Sequence, residues 1–288
     1  MTEFVSQRVT VIGAGTMGRG IAQVAASTGR AVVLVDADQE AAERALTSIA
    51  GSLERAVTKG RVTEQQRAAT LAAITPSADA AQAASGADVV VEAVPEDLGL
   101  KQRLLSTLAE SAPSHCLLGT NTSSLPIGAI SAGNPAAERI IGLHFFNPVP
   151  AMKLVEIVRG EATSQDCVDA ARQFALALGK DPIIVKDSPG FATSRLGVLL
   201  GLEAMRMLQE GVASAADIDK AMELGYRHPM GPLKLTDLVG LDVRLAIAEH
   251  LHTELGSEAF APPQILRDMV AAGDIGKKSG KGFYDYGS

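Results

Sequence analysis

Two ionisable residues stand out in RIIGLHFFNPVPAMKLVEIV, which covers residues 139 to 158. His144 and Glu156 each lie among apolar, β-branched neighbours that are typical of strands, and the stretch NPVPAM between them is turn-like. The midpoint of the two positions falls inside that connection. An antiparallel hairpin would therefore put the two residues opposite each other, with Cβ atoms about 4.5 to 5.5 Å apart.

A carboxylate at that distance can fix the tautomer of an imidazole and stabilise its protonated form. The pair would then be a general base with its orienting partner. The oxidation of an alcohol by hydride transfer needs such a base, because the hydroxyl proton must leave as the hydride is transferred. Spacing alone leaves an alternative open, in which His144 is a hydrogen-bonded core histidine and Glu156 a charge on an edge strand.

A glycine motif near the N-terminus predicts a dinucleotide site. VTVIGAGTMGRG places Gly13, Gly15 and Gly18 as G-x-G-x-x-G after a strand and at the start of a helix. These glycines allow, in order, a tight turn, approach of a pyrophosphate to the backbone, and close packing of helix on strand. Thr16 and Met17 lie in the first helical turn, whose free N–H groups favour an anion. The alternative is a glycine-rich turn without a ligand.

Asp36 ends the second strand pattern, where a carboxylate can accept hydrogen bonds from both hydroxyls of the adenosine ribose. A 2'-phosphate would be repelled by this charge, and residues 37 to 40 contain no Arg or Lys to offset the repulsion. We therefore expect NAD as the cofactor rather than NADP.

The elements that must position these residues alternate along the first half of the chain. Strand patterns at 9–13, 31–36, 87–94, 115–121 and 139–146 are interspersed with Ala/Leu-rich helical stretches, one of which continues to about residue 73. Continuous apolar runs suit strands buried on both faces of a parallel sheet. The predicted fold class is α/β, with an N-terminal Rossmann-like doubly wound sheet followed by an all-α C-terminal domain.

Two further strand patterns, at 153–158 and 181–186, flank a helical stretch near 164–179, and the composition from Asp187 onward is helical. We place the boundary at about 187 to 189. The predicted domains are an NAD-binding domain at 1–187 and an all-α substrate and dimerisation domain at 188–288. Helices that are apolar on more than one face predict a homodimer through this second domain.

Composition narrows the class of protein further. A net charge of -7 and a pI near 5.3 argue against nucleic acid or an anionic membrane as partner. Cys116 and Cys167 are the only cysteines, which indicates neither a disulfide framework nor a CxxC metal site and fits a reducing compartment. The N-terminus lacks the pattern of a signal peptide, and no apolar run approaches the length of a bilayer span. We expect a cytoplasmic protein without a bound metal.

Several ordered motifs carry a resemblance to a known family. They are VIGAGTMGRGIA, VVVEAVPEDLGLK, GTNTSSLPI, GLHFFNPVPAMKLVEIV, KDSPGFATSRL, GYRHPMGPLKLTDLVGLD and GKKSGKGFYDY. Over essentially its whole length the sequence resembles the (S)-3-hydroxyacyl-CoA dehydrogenase family, specifically the stand-alone bacterial type that acts on 3-hydroxybutyryl-CoA. The resemblance implies reversible, NAD-dependent oxidation of a short-chain (S)-3-hydroxyacyl-CoA to the 3-oxoacyl-CoA.

The resemblance also implies roles for individual residues. His144 is the catalytic base, Glu156 its partner, and Ser123 binds the substrate's 3-oxygen and helps to set the nicotinamide. By type alone, Ser123 is an ordinary loop or cap serine. Residues implied near the cofactor are Ala93, Val94, Glu96, Lys101, Asn121, Ser123, Asn147 and Lys278. Without the resemblance, Glu96 and Lys101 would be interpreted as a solvated pair at a helix start.

Two positions match residues that contact the CoA portion in the family, Ser52 and Lys59. A lysine there can neutralise a phosphate, although a solvated helical lysine is the plain alternative. One departure concerns Ser194, in GFATSRL, where the family usually has an asparagine that contacts the substrate. A serine keeps a hydroxyl but loses the second group of the amide, so a direct contact could become water-mediated. Altered acyl preference, a slower enzyme and compensation by a neighbour such as Thr193 are the consequences left open.

Two other functions fit part of these observations. One is NAD-dependent oxidation of a 3-hydroxy acid that is not a CoA thioester, such as a sugar acid. The other is a binding protein that keeps the nucleotide fold without turnover, because folds outlast functions. Ser52 and Lys59 favour the CoA thioester, and the intact set of His144, Glu156 and Ser123 argues against a protein without catalysis.

Overall fold

The computed structural model describes Phe4 and residues 6–287 and divides into two compact units, with the division after Ser188. The first unit contains, in chain order, β1 (Arg8–Ile12), α1 (Thr16–Ser27), β2 (Ala31–Val35), α2 (Gln39–Thr58), α3 (Glu64–Ala72), β3 (Ile74–Ser77), α4 (Ala80–Ala84), β4 (Val89–Glu92), α5 (Leu98–Ser111), β5 (Leu117–Thr120), α6 (Ile127–Ile130), β6 (Ile140–Phe145), β7 (Leu154–Arg159), α7 (Gln165–Ala177) and β8 (Asp181–Lys186).

In the described part of this unit, eight strands form one sheet in the order β3-β2-β1-β4-β5-β6-β7-β8. The first six are parallel, β7 is antiparallel to β6, and β8 is parallel to β7. The order of the parallel strands is that of the doubly wound dinucleotide-binding fold. The predicted fold class is confirmed.

The sequence analysis missed the edge of the sheet beyond β2. We predicted helix to about residue 73 and nothing regular until 87, whereas Ile74–Ser77 is a strand and Ala80–Ala84 a short helix. Only Ile74 of this strand is buried, and Pro76 is tolerated because the strand lies at the edge. Four residues with so little apolar content give no periodic signal.

The strands at the centre of the sheet carry its core. β4 and β5 are buried at every position, as expected for strands covered on both faces. The helix α1 packs its apolar residues Ile21, Ala22 and Ala25 against this centre. The carboxyl ends of β1 and β4 therefore lie side by side at a fixed distance, where the chain connections diverge to opposite sides.

The second unit is helical, with α8 (Thr193–Gln209), α9 (Ala215–Gly225), α10 (Pro232–Val239), α11 (Leu241–Leu255) and α12 (Gln264–Ala271). Ser214 caps α9 by accepting a hydrogen bond from the N–H of Asp217. Buried Asp237 fixes the C-terminal segment by accepting hydrogen bonds from the N–H groups of Phe283 and Tyr284. Among the described residues, no helix has both the length and the apolar character needed to cross a membrane.

Candidate active site

His144 and Glu156 are directly opposite each other in the antiparallel pair β6 and β7. The His144 Nδ1 atom lies 2.7 Å from the Glu156 Oε2 atom. Their side chains are 9% and 0% exposed. The predicted hairpin register is thus confirmed.

The burial of Glu156 gives this pair its chemical character. A carboxylate removed from water must be hydrogen-bonded, and the imidazole meets that requirement in the tautomer that carries its proton on Nδ1, a contact that also fixes the orientation of the ring. The ring of Phe146, 4.5 Å away between centroids, packs beside the imidazole. Strand residues hold both partners, so the geometry of the pair is set by the sheet rather than by a loop.

The loop after β5 lies at the same edge of the sheet as His144. In the parallel pair β5 and β6, Thr120 is opposite Gly142, so the residues after Thr120 and those after Gly142 emerge on one side. Asn121 joins the two ends directly, because its Oδ1 atom accepts a hydrogen bond of 2.9 Å from the N–H of Phe145. The exposed Ser123 follows two residues later.

Glu96, in the connection between β4 and α5, binds the loop that follows β5. Its Oε1 atom accepts hydrogen bonds from the N–H groups of Ser123 and Ser124, at 2.9 and 3.1 Å, and from the hydroxyl of Thr122 at 2.6 Å. Burial by itself raises the pKa of Glu96, but the bond from Thr122, the charge of Lys101 and the two backbone donors together lower it below its usual value. Glu96 is therefore a fixed anion at this edge.

Lys101 is completely buried, which corrects the interpretation of Glu96 and Lys101 as a solvated pair. Its Nζ atom lies 2.7 Å from Glu92 Oε1 and 3.4 Å from Glu96 Oε2. Glu92 is also fully buried and accepts a hydrogen bond from the Thr120 hydroxyl at 2.6 Å. The charges of the lysine and the two glutamates thus link the end of β4 to the loop that carries Ser123.

The glycine motif is built as its spacing predicted. Gly13 has a φ of 100°, and a Cβ there would lie 2.6 Å from the carbonyl oxygen of Ala93, at the junction of β1 and β4. A Cβ on Gly18 would lie 1.7 Å from the Gly13 carbonyl oxygen, so α1 could not pack against the turn. A Cβ on Gly15, by contrast, would meet no atom within 4 Å. Packing within the chain therefore does not require a glycine at position 15.

Gly15 is also the N-cap of α1, and no side chain caps that end. A helix N-terminus with an open approach to its backbone fits a pyrophosphate. Thr16 and Met17 form the first turn, and Ala93 and Val94 follow β4 on the other side of the junction. These residues fit the dinucleotide.

Asp36 follows β2 and accepts a hydrogen bond of 2.9 Å from the N–H of Ala14, which ties it to the glycine turn. Arg44 is the next basic residue along the chain, one helical turn beyond residues 37 to 40. Arg44 pairs with Asp38 at 3.0 Å and with Glu40 at 3.2 Å. Because two carboxylates already neutralise it, Arg44 does not offset the charge of Asp36.

The remaining residues singled out by the sequence are distributed as follows. Ser52 lies on α2 and Asn147 in the connection after β6, and both line one pocket. Lys59 is exposed and caps the C-terminus of α2. In the second unit, Ser194 lies in the first turn of α8 and Lys278 pairs with Asp242 at 2.7 Å. Within the described residues, no group of three or more His, Cys, Asp or Glu side chains could hold a metal ion.

Glu92 and Lys180 are residues that the sequence analysis overlooked. Glu92 is a lone acid within the apolar run VVVE, the same signal that marked Glu156, and it could have been found in this way. Lys180 is buried and donates to the carbonyl oxygens of Val149 and Met152, at 2.5 and 2.8 Å, so it fixes the connection between β6 and β7. Its burial lowers the pKa of Lys180. No sequence pattern distinguishes this lysine from a surface one.

Comparison with known proteins identifies the class. Residues 8–188 match the NAD binding domain of 3-hydroxyacyl-CoA dehydrogenase, and residues 190–286 match the C-terminal domain of the same enzyme. The chain belongs to the 3-hydroxyacyl-CoA dehydrogenase family. The resemblance stated from the motifs is confirmed, and so is NAD as the cofactor.

Individual relatives cover almost the whole chain. The chain is 40% identical to a 3-hydroxybutyryl-CoA dehydrogenase of Clostridioides difficile, over 97% of this chain and 99% of the relative. It is 44% identical to the human mitochondrial hydroxyacyl-coenzyme A dehydrogenase, over 99% and 92% of the two chains. The crystal structure of (S)-3-hydroxybutyryl-CoA dehydrogenase from Ralstonia eutropha is similar with a TM-score of 0.94, 41% identity, and coverage of 99% and 100%.

Proposed function

We propose that this chain catalyses the reversible, NAD-dependent oxidation of a short-chain (S)-3-hydroxyacyl-CoA, such as 3-hydroxybutyryl-CoA, to the 3-oxoacyl-CoA. The observation that carries the proposal is the 2.7 Å contact between His144 and the fully buried Glu156. The names of the full-length relatives support the substrate class.

In this mechanism His144 is the general base, and its Nε2 atom takes the proton of the substrate's 3-hydroxyl group. Glu156 keeps Nδ1 protonated and stabilises the imidazolium that forms, because it is held opposite His144 in the sheet. Bound at the glycine motif, NAD would supply the acceptor for the hydride that leaves C3 of the substrate. In the reverse direction His144 returns the proton to the 3-oxygen.

Ser123 donates a hydrogen bond to the 3-oxygen, and Glu96 positions it through the backbone N–H groups of the loop. Asp36 and the backbone of the glycine motif hold the cofactor, together with Ala93, Val94, Asn121 and Asn147. Lys101, whose side chain is fully buried, supports this site through Glu92 and Glu96 rather than by direct contact. Ser194, Ser52 and Lys59 stay predictions for substrate contacts, and Lys278 for the cofactor.

The test is NADH oxidation with acetoacetyl-CoA by the wild type and His144→Ala. A lost general base should lower kcat by about 100- to 10,000-fold. His115→Ala is the matched control, because the His115 side chain is 61% exposed and lies on the opposite edge of the sheet, before β5. Thermal unfolding of both variants separates loss of chemistry from loss of fold.

Three results would contradict the proposal. Activity with a free 3-oxo acid but not with acetoacetyl-CoA would favour a sugar-acid dehydrogenase. NADH binding without turnover of either substrate would favour a protein without catalysis. Unchanged activity in His144→Ala would remove the assigned base.

A homodimer through the second unit is part of the proposal. The unit exposes several large apolar side chains, and apolar exposure on this scale is typical of an interface. Leu196, Leu224, Tyr226 and Leu238 are 61%, 72%, 76% and 53% exposed. Light scattering should give twice the mass of the chain for the wild type, and a monomeric wild type would contradict this.

The cytoplasmic location stays a prediction, supported by two free cysteine thiols.

A further inference from the structure

Four basic side chains are buried in the part of the chain that the structure describes: Arg30, Lys101, Lys180 and Arg244. Three of them have partners that satisfy them. Arg30 donates to two hydroxyl groups and a carbonyl oxygen, Lys101 pairs with a buried glutamate, and Lys180 donates to two carbonyl oxygens. Arg244 therefore differs from the other three in what surrounds it.

Arg244 lies on α11 and is 7% exposed, and its buried Nε atom has no hydrogen-bond partner. Within the described residues its guanidinium group forms no ion pair and donates no hydrogen bond. The acid closest to it along α11, Asp242, is already paired with Lys278 at 2.7 Å. Burial lowers the pKa of Arg244, and no carboxylate of the described chain opposes that shift. A cation removed from water in this way needs an anion, and that anion must come from outside this chain.

The guanidinium group of Arg244 lies beside the first turns of α8. A Cβ added to Gly197 would lie 3.5 Å from Nη1 and 4.0 Å from Nη2 of Arg244. Glycine is unfavourable inside a helix, but here a longer side chain would cover these two nitrogens. Ser194 precedes Gly197 by three positions, so the two are neighbours on one side of α8. The cation therefore lies about one helical turn from the serine that we propose to contact the substrate.

We propose that Arg244 binds a carboxylate at the far end of the acyl group, so that the preferred substrate is a (S)-3-hydroxyacyl-CoA whose acyl chain ends in a carboxylate. The inference rests on the proposed function, because that function supplies the thioester and its contact with Ser194. A guanidinium group pairs with a carboxylate through two parallel hydrogen bonds. In an acyl group of six carbons the terminal carboxylate lies three bonds beyond C3, a reach comparable with one helical turn.

The test compares two thioesters that differ only at the end of the acyl chain. 3-Oxoadipyl-CoA ends in a carboxylate, and 3-oxohexanoyl-CoA has the same number of carbons and ends in a methyl group. With NADH, the wild type should reduce the first with a kcat/KM about tenfold higher or more, because it gains a charge-assisted contact. In Arg244→Met this preference should fall about tenfold. The loss should appear in KM rather than kcat, because the carboxylate is remote from the reacting carbon.

Two further variants test the nature of the contact. Arg244→Lys should keep part of the preference, since the charge remains while the planar fork is lost. Arg267→Met is the matched control, an exposed arginine of the same unit that pairs with Glu249, and it should leave the preference unchanged. In thermal unfolding, Arg244→Met should melt at or above the wild-type temperature, because it removes a buried charge without a counter-charge. A lower melting temperature with an unchanged preference would make Arg244 structural and overturn the inference.

Calorimetric titration with adipyl-CoA and hexanoyl-CoA, which carry no 3-oxygen, separates binding from chemistry. Arg244→Met should weaken the binding of adipyl-CoA alone. Equal losses with both ligands would assign Arg244 to the CoA portion or to the packing of α8, and would overturn the inference. A dimeric wild type that becomes monomeric in Arg244→Met, with both ligands equally affected, would assign the cation to a carboxylate of a second copy and would also overturn it.

The outcomes for the wild type separate this inference from the proposed function. A wild type that turns over neither acetoacetyl-CoA nor the two six-carbon thioesters would contradict the proposed function. A wild type that turns over acetoacetyl-CoA but shows the same kcat/KM for both six-carbon thioesters leaves the function intact and overturns the inference, because the terminal carboxylate would then contribute nothing to binding.

Discussion

Lys101 and Glu92 form an ion pair of 2.7 Å in which neither side chain is exposed. Glu92 also accepts hydrogen bonds from the Val94 N–H and the Thr120 hydroxyl, so its lone pairs are well satisfied. From Lys101 the contacts continue to Glu96 and then to the N–H of Ser123. The pair therefore supports, from inside the core, the loop that we propose to contact the substrate.

Glu92→Gln should destabilise the first unit by about 3 to 5 kcal/mol, because it leaves the Lys101 cation buried without a full counter-charge. Urea unfolding measures the free energy. The double variant Glu92→Gln/Lys101→Met should regain much of the loss, since it removes both charges. Glu64→Gln, which breaks the exposed pair with Arg67, is the control and should cost less than about 1 kcal/mol. Additive losses in the double variant would show that the two charges are not coupled.

Glu156→Gln should lower kcat with acetoacetyl-CoA by about a hundredfold or more, because an amide can still accept the Nδ1–H bond but cannot stabilise the imidazolium. Steady-state kinetics with NADH check this, and thermal unfolding reports on the fold. Glu161→Gln is the control, because Glu161 is exposed and lies just after the end of β7. A folded Glu156→Gln variant with full kcat would restrict Glu156 to a structural role.

Asp36→Asn should weaken NADH binding about tenfold, because the neutral amide is a poorer acceptor for the ribose hydroxyls. It should bring little gain with NADPH, since Arg44 remains paired with Asp38 and Glu40. Asp36→Asn/Asp38→Asn partly releases Arg44 and should bind NADPH more tightly than the single variant. Fluorescence titration with both cofactors measures these changes. Tight NADPH binding by the wild type would contradict the assignment of Asp36.

The thiols of Cys116 and Cys167 should resist alkylation at pH 8 until the protein unfolds. Burial raises the pKa of both thiols from the ordinary thiol range to about 12, because the thiolate is poorly solvated in the core. A folded-state pKa above the unfolded value gives stability that is present below pH 9 and is lost as the pH rises toward 12. Mass spectrometry after iodoacetamide treatment checks the first effect, and urea unfolding across that range checks the second. Rapid labelling of the native chain would contradict this burial.

Local patterns predicted much of the fold. The apolar runs of β1, β4 and β5 are long and unbroken, so they identify buried strands, and the glycine spacing identifies the turn between β1 and α1. The pairing of His144 with Glu156 was predictable because the connection is short and symmetric about its centre. The strand β3 was missed because it lies at an edge and carries few apolar residues.

The sequence by itself determined which residues are available for chemistry and the type of domain that carries them, since residue type and spacing act locally. The tertiary structure decided which charged side chains lie together and which of them are buried. Lys101 and Glu92 are nine positions apart on different elements, and only the packing of α5 on the sheet removes both from water. Arg19 and Arg55 likewise line one pocket only because α1 and α2 pack together beside the connection of residues 147–151. Burial and charge pairing depend on what surrounds a side chain in space, and neighbours in the sequence do not specify that.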